Sequence, residues 1–318
     1  MGRAQTGTLR GRAVRRAARP GTRSCGERAW PATGQEIAPR RARIAGVRSR
    51  PALLLVLAAI LLAAPAGAQQ LPIFDAHIHY SEPDWDALTP ERALSILARA
   101  NVFRAIVSST PDDGTVRLYE RAPRGIVPFL RPYRSAVDGA TWARDPAVAA
   151  YVEERLKRGI YRGIGEFHLG AADVEAPVVK RIAALAEQHG LFLHAHADDV
   201  TIEKLATLYP KVRLLWAHAG MTASPATVGR LLDRFPMLWA ELSLRSDVAP
   251  GGTLDPAWGA LIVRHADRFL VGTDTWTTSR WESVRESIRE TQHWLLQLPR
   301  DVAEKVAFGN GDRLFPTP

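Results

Sequence analysis

The chain has 318 residues but only one cysteine, Cys25. That cysteine lies in an arginine-rich N-terminal stretch, so the rest of the chain can form no disulfide and offers no thiolate to a metal ion. Histidine, aspartate and glutamate are then the residues left to bind any metal. The scarcity of cysteine excludes a disulfide-stabilised scaffold and a cysteine-based zinc site.

A basic surface is also missing from the greater part of the chain, although the net charge is +9. Residues 1–50 contain 13 arginines, no lysine and two acids, which amounts to +11, so the remaining 268 residues together carry −2. A nucleic-acid-binding protein needs a basic patch on its folded part. We therefore predict a small-molecule substrate and no nucleic-acid partner, and leave a homo-oligomer open.

The sequence of the N-terminal region predicts two segments that precede the folded domain. Residues 1–50 lack hydrophobic periodicity and are predicted to be a disordered leader. Residues 51–68 have an apolar core and end in Ala66-Gly67-Ala68, the pattern of a secretory signal peptide. The apolar core is shorter than the roughly 20 residues that a membrane span needs. We expect cleavage after Ala68, no stable membrane anchor afterwards, and a periplasmic or secreted protein; an uncleaved anchor is the alternative.

Residues 69–318 number 250, the usual size of a (β/α)8 barrel. Strand-like apolar runs recur at near-even spacing, at 71–75, 103–109, 126–131, 161–166, 191–196, 212–218, 237–243 and 268–273. Helical patterns lie between them, most clearly at 145–159, 175–189 and 279–297. Eight alternating elements favour a parallel sheet. We predict an α/β fold, a single-domain (β/α)8 TIM-like barrel over 69–318.

Residues able to bind a metal follow several of these strands. In such a barrel the chemistry lies at the C-terminal ends of the strands. His77 and His79 share one face of the first strand because side chains alternate along a strand. Later strands end in Glu166 (fourth), His194 and His196 (fifth), His218 (sixth) and Asp274 (eighth). This ordered set predicts a metal centre at the mouth of the barrel.

The pattern Asp75-x-His77-x-His79, with the later strand-end residues, resembles the amidohydrolase superfamily. Three sequence motifs are similar to those of its amidohydrolase 2 branch: Gly163-Ile-Gly-Glu-Phe-His, Leu215-Trp-Ala-His-Ala-Gly and Val271-Gly-Thr-Asp-Thr. The resemblance covers residues 71–315. Members of the superfamily mostly hydrolyse esters, amides, lactones or phosphoesters with one or two divalent ions. The same branch also contains decarboxylases.

The resemblance implies roles for particular residues. His77, His79, His196 and Asp274 would be metal ligands, with His194 as the alternative to His196 on the fifth strand. Asp274 and His218 would be catalytic, Asp274 by receiving a proton from the water that the metal activates. Zinc is the favoured ion, with manganese or another divalent ion as alternatives, and one ion is favoured over two.

Four residues are predicted to bind substrate: Glu166, Arg131, Arg245 and Trp276. Glu166 has the alternative role of bridging two ions. The arginines suit a carboxylate or phosphate because a guanidinium can make two parallel hydrogen bonds; a salt bridge at the rim is the alternative. We therefore expect an exported metal-dependent hydrolase of a small substrate that can be anionic. The alternatives are a mononuclear non-oxidative decarboxylase and a non-catalytic metal- or ligand-binding barrel.

Overall fold

The computed structural model describes residues 70–317. The predicted leader (1–50) and signal peptide (51–68) lie outside the described residues. Eight parallel strands form one sheet in sequence order, which confirms the predicted α/β barrel architecture. They are β1 (Ile73–Ile78), β2 (Val102–Val107), β3 (Ile126–Leu130), β4 (Gly163–His168), β5 (Phe192–His196), β6 (Arg213–Trp216), β7 (Leu238–Glu241) and β8 (Phe269–Leu270). Within residues 70–317, no helix has the length and apolar character required to cross a membrane.

The barrel closes between its first and last strands through isolated contacts rather than a continuous ladder. Asp75 bridges to Val271 and Ile78 bridges to Thr275, both in parallel orientation. The backbone N–H of Ala76 donates to the carbonyl of Val271 at 2.8 Å. The eighth strand is therefore shorter than the predicted 268–273, because beyond Leu270 only single bridges connect it to β1.

Helices alternate with the strands and cover the outside of the barrel. They are α1 (Pro90–Arg99), α2 (Asp113–Arg121), α3 (Asp138–Thr141), α4 (Pro146–Leu156), α5 (Pro177–His189), α6 (Asp199–Leu208), α7 (Pro225–Arg234), α8 (Pro256–Arg264), α9 (Thr278–Leu295), α10 (Arg300–Glu304) and α11 (Asn310–Leu314). The helices predicted at 145–159, 175–189 and 279–297 correspond to α4, α5 and α9.

Helix starts follow the capping rules. Asp145, Ser224 and Asp255 each precede a proline at the first helical position, and each side chain accepts a backbone N–H of the first turn. Helix α5 ends at Gly190, whose φ of 62° lies in the left-handed region that glycine adopts without steric cost. These local signals are the reason that the sequence located the helices well.

Aromatic residues fill the end of the barrel opposite the predicted site. The ring of Phe315, from the C-terminal segment, lies 5.9 Å from Phe74, 5.6 Å from Phe129 and 4.9 Å from Phe192. Asn310, which is 1% exposed, donates to the carbonyls of Ala266 and Phe269 and so fixes that segment. The N-terminal end of the barrel is thus a packed floor, which leaves the C-terminal end for chemistry.

Candidate metal centre

Strand β1 places two histidine nitrogens face to face. His77 and His79 are both buried, and their Nε2 atoms lie 3.1 Å apart. His77 Nδ1 is 3.0 Å from Glu241 Oε1, and the nearest partner of His79 Nδ1 is the carbonyl of Ser108. An ionised carboxylate and a carbonyl only accept hydrogen bonds, so both Nδ1 atoms carry the proton. The two Nε2 atoms, which face each other, are then the nitrogens available to a cation.

Two carboxylate oxygens complete this group. Asp274 Oδ1 lies 3.5 Å from His77 Nε2 and 3.4 Å from His79 Nε2. Glu166 Oε2 lies 3.4 Å and 3.3 Å from the same two nitrogens. A tetrahedral ion with bonds of about 2.0–2.1 Å has its ligands about 3.3–3.4 Å apart. Each carboxylate oxygen therefore lies at the ligand spacing of a divalent cation from both histidine nitrogens, and all four atoms are electron-rich groups that a cation or a proton would hold together.

The charges in this cluster also favour a bound cation. Burial alone would lower the pKa of His77, but the charges of Asp274, Glu166 and Glu241 raise it well above its usual value. Burial would raise the pKa of Asp274, yet His77 and His79 hold it at about 2. The carboxylates of Asp274 and Glu166 are thus ionised, and they favour a positive charge at the position of His77. This is the electrostatic environment of a cation site.

Asp75, the first residue of the sequence motif, anchors the backbone around the histidines. It is fully buried, and its Oδ1 accepts from the backbone N–H groups of His77 and Thr273, both at 3.0 Å. Its Oδ2 accepts from the Thr273 hydroxyl at 2.7 Å. Burial raises the pKa of Asp75 to about 6, against the opposing effect of these hydrogen bonds. Asp75 therefore ties β1 to the strand end that carries Asp274.

The second oxygen of Glu166 faces a different group. Its Oε1 lies 2.9 Å from His196 Nδ1, 3.7 Å from His218 Nε2 and 3.8 Å from His168 Nε2. Among the described residues, the triads whose ligand atoms lie within 4.8 Å of one another include His77–His79–Asp274 and Glu166–His168–His196. His196 thus lies with Glu166 and not in the first triad. Glu166 connects the two groups, an arrangement in which it contacts two potential cation positions.

His218 and His194 are buried histidines with free ring nitrogens. His218 Nε2 has no hydrogen-bond partner, whereas its Nδ1 is 3.1 Å from the carbonyl of Ser243. Neither ring nitrogen of His194 has a partner, its ring centre is 4.6 Å from that of His77, and burial lowers its pKa well below the usual value. His194 is therefore neutral and beside the cluster, and the choice between His194 and His196 as ligand stays a prediction.

The residues predicted to bind substrate occupy three different environments. Arg131 contacts the cluster: its Nε donates to the Glu166 carbonyl and its Nη2 to Glu166 Oε2, both at 3.0 Å. Trp276 follows β8 and is 55% exposed. The Arg245 guanidinium is turned into the loop after β6, where it donates to the carbonyls of His218, Ala219 and Ala223 and to Asp247. The structure thus brings Arg131, and not Arg245, to Glu166.

Two functional candidates adopt the left-handed backbone conformation. The φ angle is 55° at His218 and 46° at Asp274. Such a conformation costs a residue other than glycine about 1–3 kcal/mol and persists only where surrounding contacts impose it. At His218 one such contact is the backbone N–H, which donates to Glu241 Oε1 at 2.6 Å. Neither conformation was expected from the sequence.

Glu241 is the site residue that the sequence reasoning missed. It ends β7 and is fully buried. Burial would raise its pKa, but His77 and His218 lower it strongly. The signal available was an acid directly after the apolar run Leu238-Trp-Ala, where Glu241 is the fourth residue of its strand, as Glu166 is of β4.

Fold and site together define a TIM-like barrel with a candidate metal centre at the C-terminal ends of its strands. The family model described as amidohydrolase matches residues 74–317, and the chain belongs to this family. A search of curated proteins finds no match.

Several solved structures share the fold. A TatD homologue from Escherichia coli K12 is 17% identical, covers 78% of this chain and 99% of its own, and has a TM-score of 0.56. A Pseudomonas putida protein assigned provisionally as a 2-pyrone-4,6-dicarboxylic acid hydrolase is 16% identical, with coverages of 77% and 97% and a TM-score of 0.55. A protein with the same provisional assignment from Acinetobacter baumannii, solved with citric acid bound, is 13% identical, with coverages of 77% and 99% and a TM-score of 0.51.

Proposed function

We propose that this protein is a metal-dependent hydrolase of a small, anionic substrate. The observation that carries the proposal is the meeting of His77 Nε2 and His79 Nε2, 3.1 Å apart, with oxygens of Asp274 and Glu166 that each lie 3.3–3.5 Å from both nitrogens. These residues would hold a divalent ion, which would supply a nucleophilic water near neutral pH by lowering the pKa of that water. Zinc is the ion we favour, because histidine nitrogens and carboxylate oxygens suit it.

The chain's own residues supply the proton transfer and the polarity of the site. Asp274 is ionised and mostly buried, so it can accept a proton from the attacking water and return it to the leaving group. His218 Nε2 has no hydrogen-bond partner among residues 70–317 and lies 3.7 Å from Glu166 Oε1, and it is assigned to polarise the scissile group. The dicarboxylic acid hydrolase assignments among the structural neighbours agree with an anionic substrate.

The number of ions is proposed as one. Glu166 faces two groups of ligands, which supports the two-ion alternative. Against it, the Arg131 guanidinium already places a positive charge 3.0 Å from Glu166 Oε2. A second divalent ion at the same carboxylate would be repelled by this guanidinium and by the first ion. His168, on the Oε1 side of Glu166, is then available to contact substrate, while His196 on the same side stays the predicted ligand from the fifth strand.

Metal content and a substrate screen test the proposal together. The purified protein should hold about one zinc ion per chain, as expected for a single tetrahedral site, and chelation should abolish hydrolysis of at least one chromogenic ester, lactone or phosphoester. His79→Ala should lose both metal and activity. His189→Ala is the matched control, because His189 is exposed at the end of α5, just before the N-terminal end of β5 and so at the opposite end of the barrel from the cluster.

The two alternative functions, a decarboxylase and a binding protein, predict different results in these assays. Release of carbon dioxide from a carboxylic acid substrate, without hydrolysis of any ester, would identify the decarboxylase. Bound metal with no turnover in either assay would identify a binding protein. Protein that contains no metal and gains no activity when zinc, manganese or cobalt is added would contradict the proposal.

Export remains part of the proposal and rests on the sequence of residues 51–68 alone. We expect a mature N-terminus near Gln69 and a location outside the cytoplasm. Sequencing the N-terminus of protein taken from the native host would test both. An N-terminus upstream of residue 51 in cytoplasmic material would contradict export.

A further inference from the structure

We infer that Glu241 is a positioning residue that sets two site histidines at once, the ring of His77 and the backbone of His218. The inference rests on the proposed metal site and adds to it a residue that binds neither metal nor substrate. Glu241 lies at the end of β7, between β6, which precedes His218, and β8, which precedes Asp274; β1, which carries His77, is on the other side of β8.

The carboxylate of Glu241 is surrounded by hydrogen-bond donors. Its Oε1 is 3.0 Å from His77 Nδ1 and accepts from the His218 backbone N–H at 2.6 Å, and its Oε2 accepts from the Ser243 backbone N–H at 2.7 Å. The side chain is 0% exposed. Because the carboxylate only accepts, His77 donates to it from Nδ1, which leaves Nε2, beside Asp274 and Glu166, as the nitrogen that can bind a cation. Glu241 thereby selects the tautomer that can bind a cation.

The same oxygen holds the loop after β6. The His218 N–H donates to Glu241 Oε1 with the backbone in its left-handed conformation, in which the φ of His218 is 55°. That bond offsets part of the cost of this conformation. One carboxylate oxygen therefore couples the ligand side of the site to the histidine assigned to polarise the substrate.

The neighbouring strand is shaped to leave room for this carboxylate. A Cβ atom added at Gly272 would lie 2.9 Å from Glu241 Oε2 and 3.0 Å from His77 Cβ. Any side chain at position 272 would therefore displace Glu241, His77 or both. Glycine at this position is what allows the two side chains to meet.

Glu241→Gln is the informative substitution, because it keeps the shape and replaces one acceptor oxygen by an NH2 group. That NH2 must face either the Ser243 N–H or the His77 and His218 donors, so the three hydrogen bonds cannot all be kept. We expect the Kd for Zn²⁺ to rise about tenfold, the lower end of the effect usual for residues that orient metal ligands. We also expect kcat to fall at saturating Zn²⁺, because His218 is no longer held.

Ser243→Ala is the matched control. The Ser243 hydroxyl lies 3.3 Å from His77 Nδ1 and 2.9 Å from His218 Nδ1, close to the same two rings. Its removal leaves Glu241 and the Ser243 carbonyl in place, so Zn²⁺ binding should weaken less than in Glu241→Gln. Equal Zn²⁺ affinity in Glu241→Gln and wild type, where wild type binds Zn²⁺ and is active, would refute the role of Glu241 while leaving the proposed function intact. A wild-type protein that binds no Zn²⁺ would instead refute the proposed function.

A measurement on the wild-type protein avoids dependence on the folding of the variant. Nitrogen-15 NMR of the imidazoles in the Zn²⁺-loaded full chain should show the proton of His77 on Nδ1 and the metal on Nε2. The opposite tautomer would overturn the inference. A purely structural Glu241 would lower the melting temperature on substitution without altering the His77 nitrogen shifts.

Discussion

Replacing Arg245 with methionine is expected to destabilise the fold rather than to weaken substrate binding specifically. The Arg245 side chain is 2% exposed. Its Nη1 donates to the carbonyls of His218 and Ala219 at 3.2 Å and 2.9 Å, and its Nη2 donates to the carbonyl of Ala223 at 2.8 Å. Methionine is unbranched, fills the space of the aliphatic part of the arginine and donates no hydrogen bond. The substitution therefore removes the contacts that hold the loop carrying His218.

The expected loss in the free energy of unfolding can be summed from those contacts. Three buried carbonyls lose their donor, at about 1 kcal/mol each. The guanidinium also lies 4.5 Å from the ring centre of Trp258, and loss of that cation–π contact adds about 1 kcal/mol. Asp247 is half-exposed and can be hydrated, so it adds little. The expected loss is about 3–5 kcal/mol in the free energy of unfolding, which lowers the melting temperature by about 6–20 °C in a domain of this size.

Thermal unfolding and steady-state kinetics on the same samples separate the two roles of Arg245. Arg230→Met is the control, because Arg230 is 53% exposed and its ion pair with Glu203 is at the surface; it should cost no more than about 1 kcal/mol. If Arg245 binds substrate instead, Arg245→Met would raise KM several-fold and leave the melting temperature unchanged. That result would refute the prediction that Arg245 stabilises the fold.

Three further predictions concern the metal cluster and the loop after β3. His77→Ala should lose most of the bound metal, measured by elemental analysis; retention of full metal would contradict its assignment as a ligand. Glu166→Gln should leave the metal stoichiometry at or below one and reduce turnover, whereas two ions in wild type falling toward one would establish the bridging role. Asp138 accepts three hydrogen bonds from Arg134, which lower its pKa. Its stabilisation is therefore present above about pH 4, the unfolded pKa, and is lost as the pH falls through the folded pKa. Asp138→Asn should cost about 1.5–3 kcal/mol at pH 7, a difference that chemical denaturation should find shrinking in acid.

Local rules made much of the barrel readable from the sequence. Apolar runs of strand length, proline after a capping residue at Asp145, Ser224 and Asp255, and glycine at position 190 are signals that act within a few residues. The strand-end histidines and carboxylates were found for the same reason, since a parallel barrel brings every strand's C-terminal end to one face. Strand alternation alone therefore predicted that His77 and His79 share a face.

Contacts between distant segments were decided only by the tertiary structure. The sequence offered Arg131 and Arg245 as equivalent candidates, but Arg131 turns toward Glu166 and Arg245 turns into the His218 loop. Glu241 lies 164 residues from His77 in the sequence, and no sequence pattern near either residue predicts their contact. Side-chain direction at a strand end depends on which neighbours offer a hydrogen bond in three dimensions. The sequence determined which residues reach the mouth of this barrel, and packing between strands decided which of them touch.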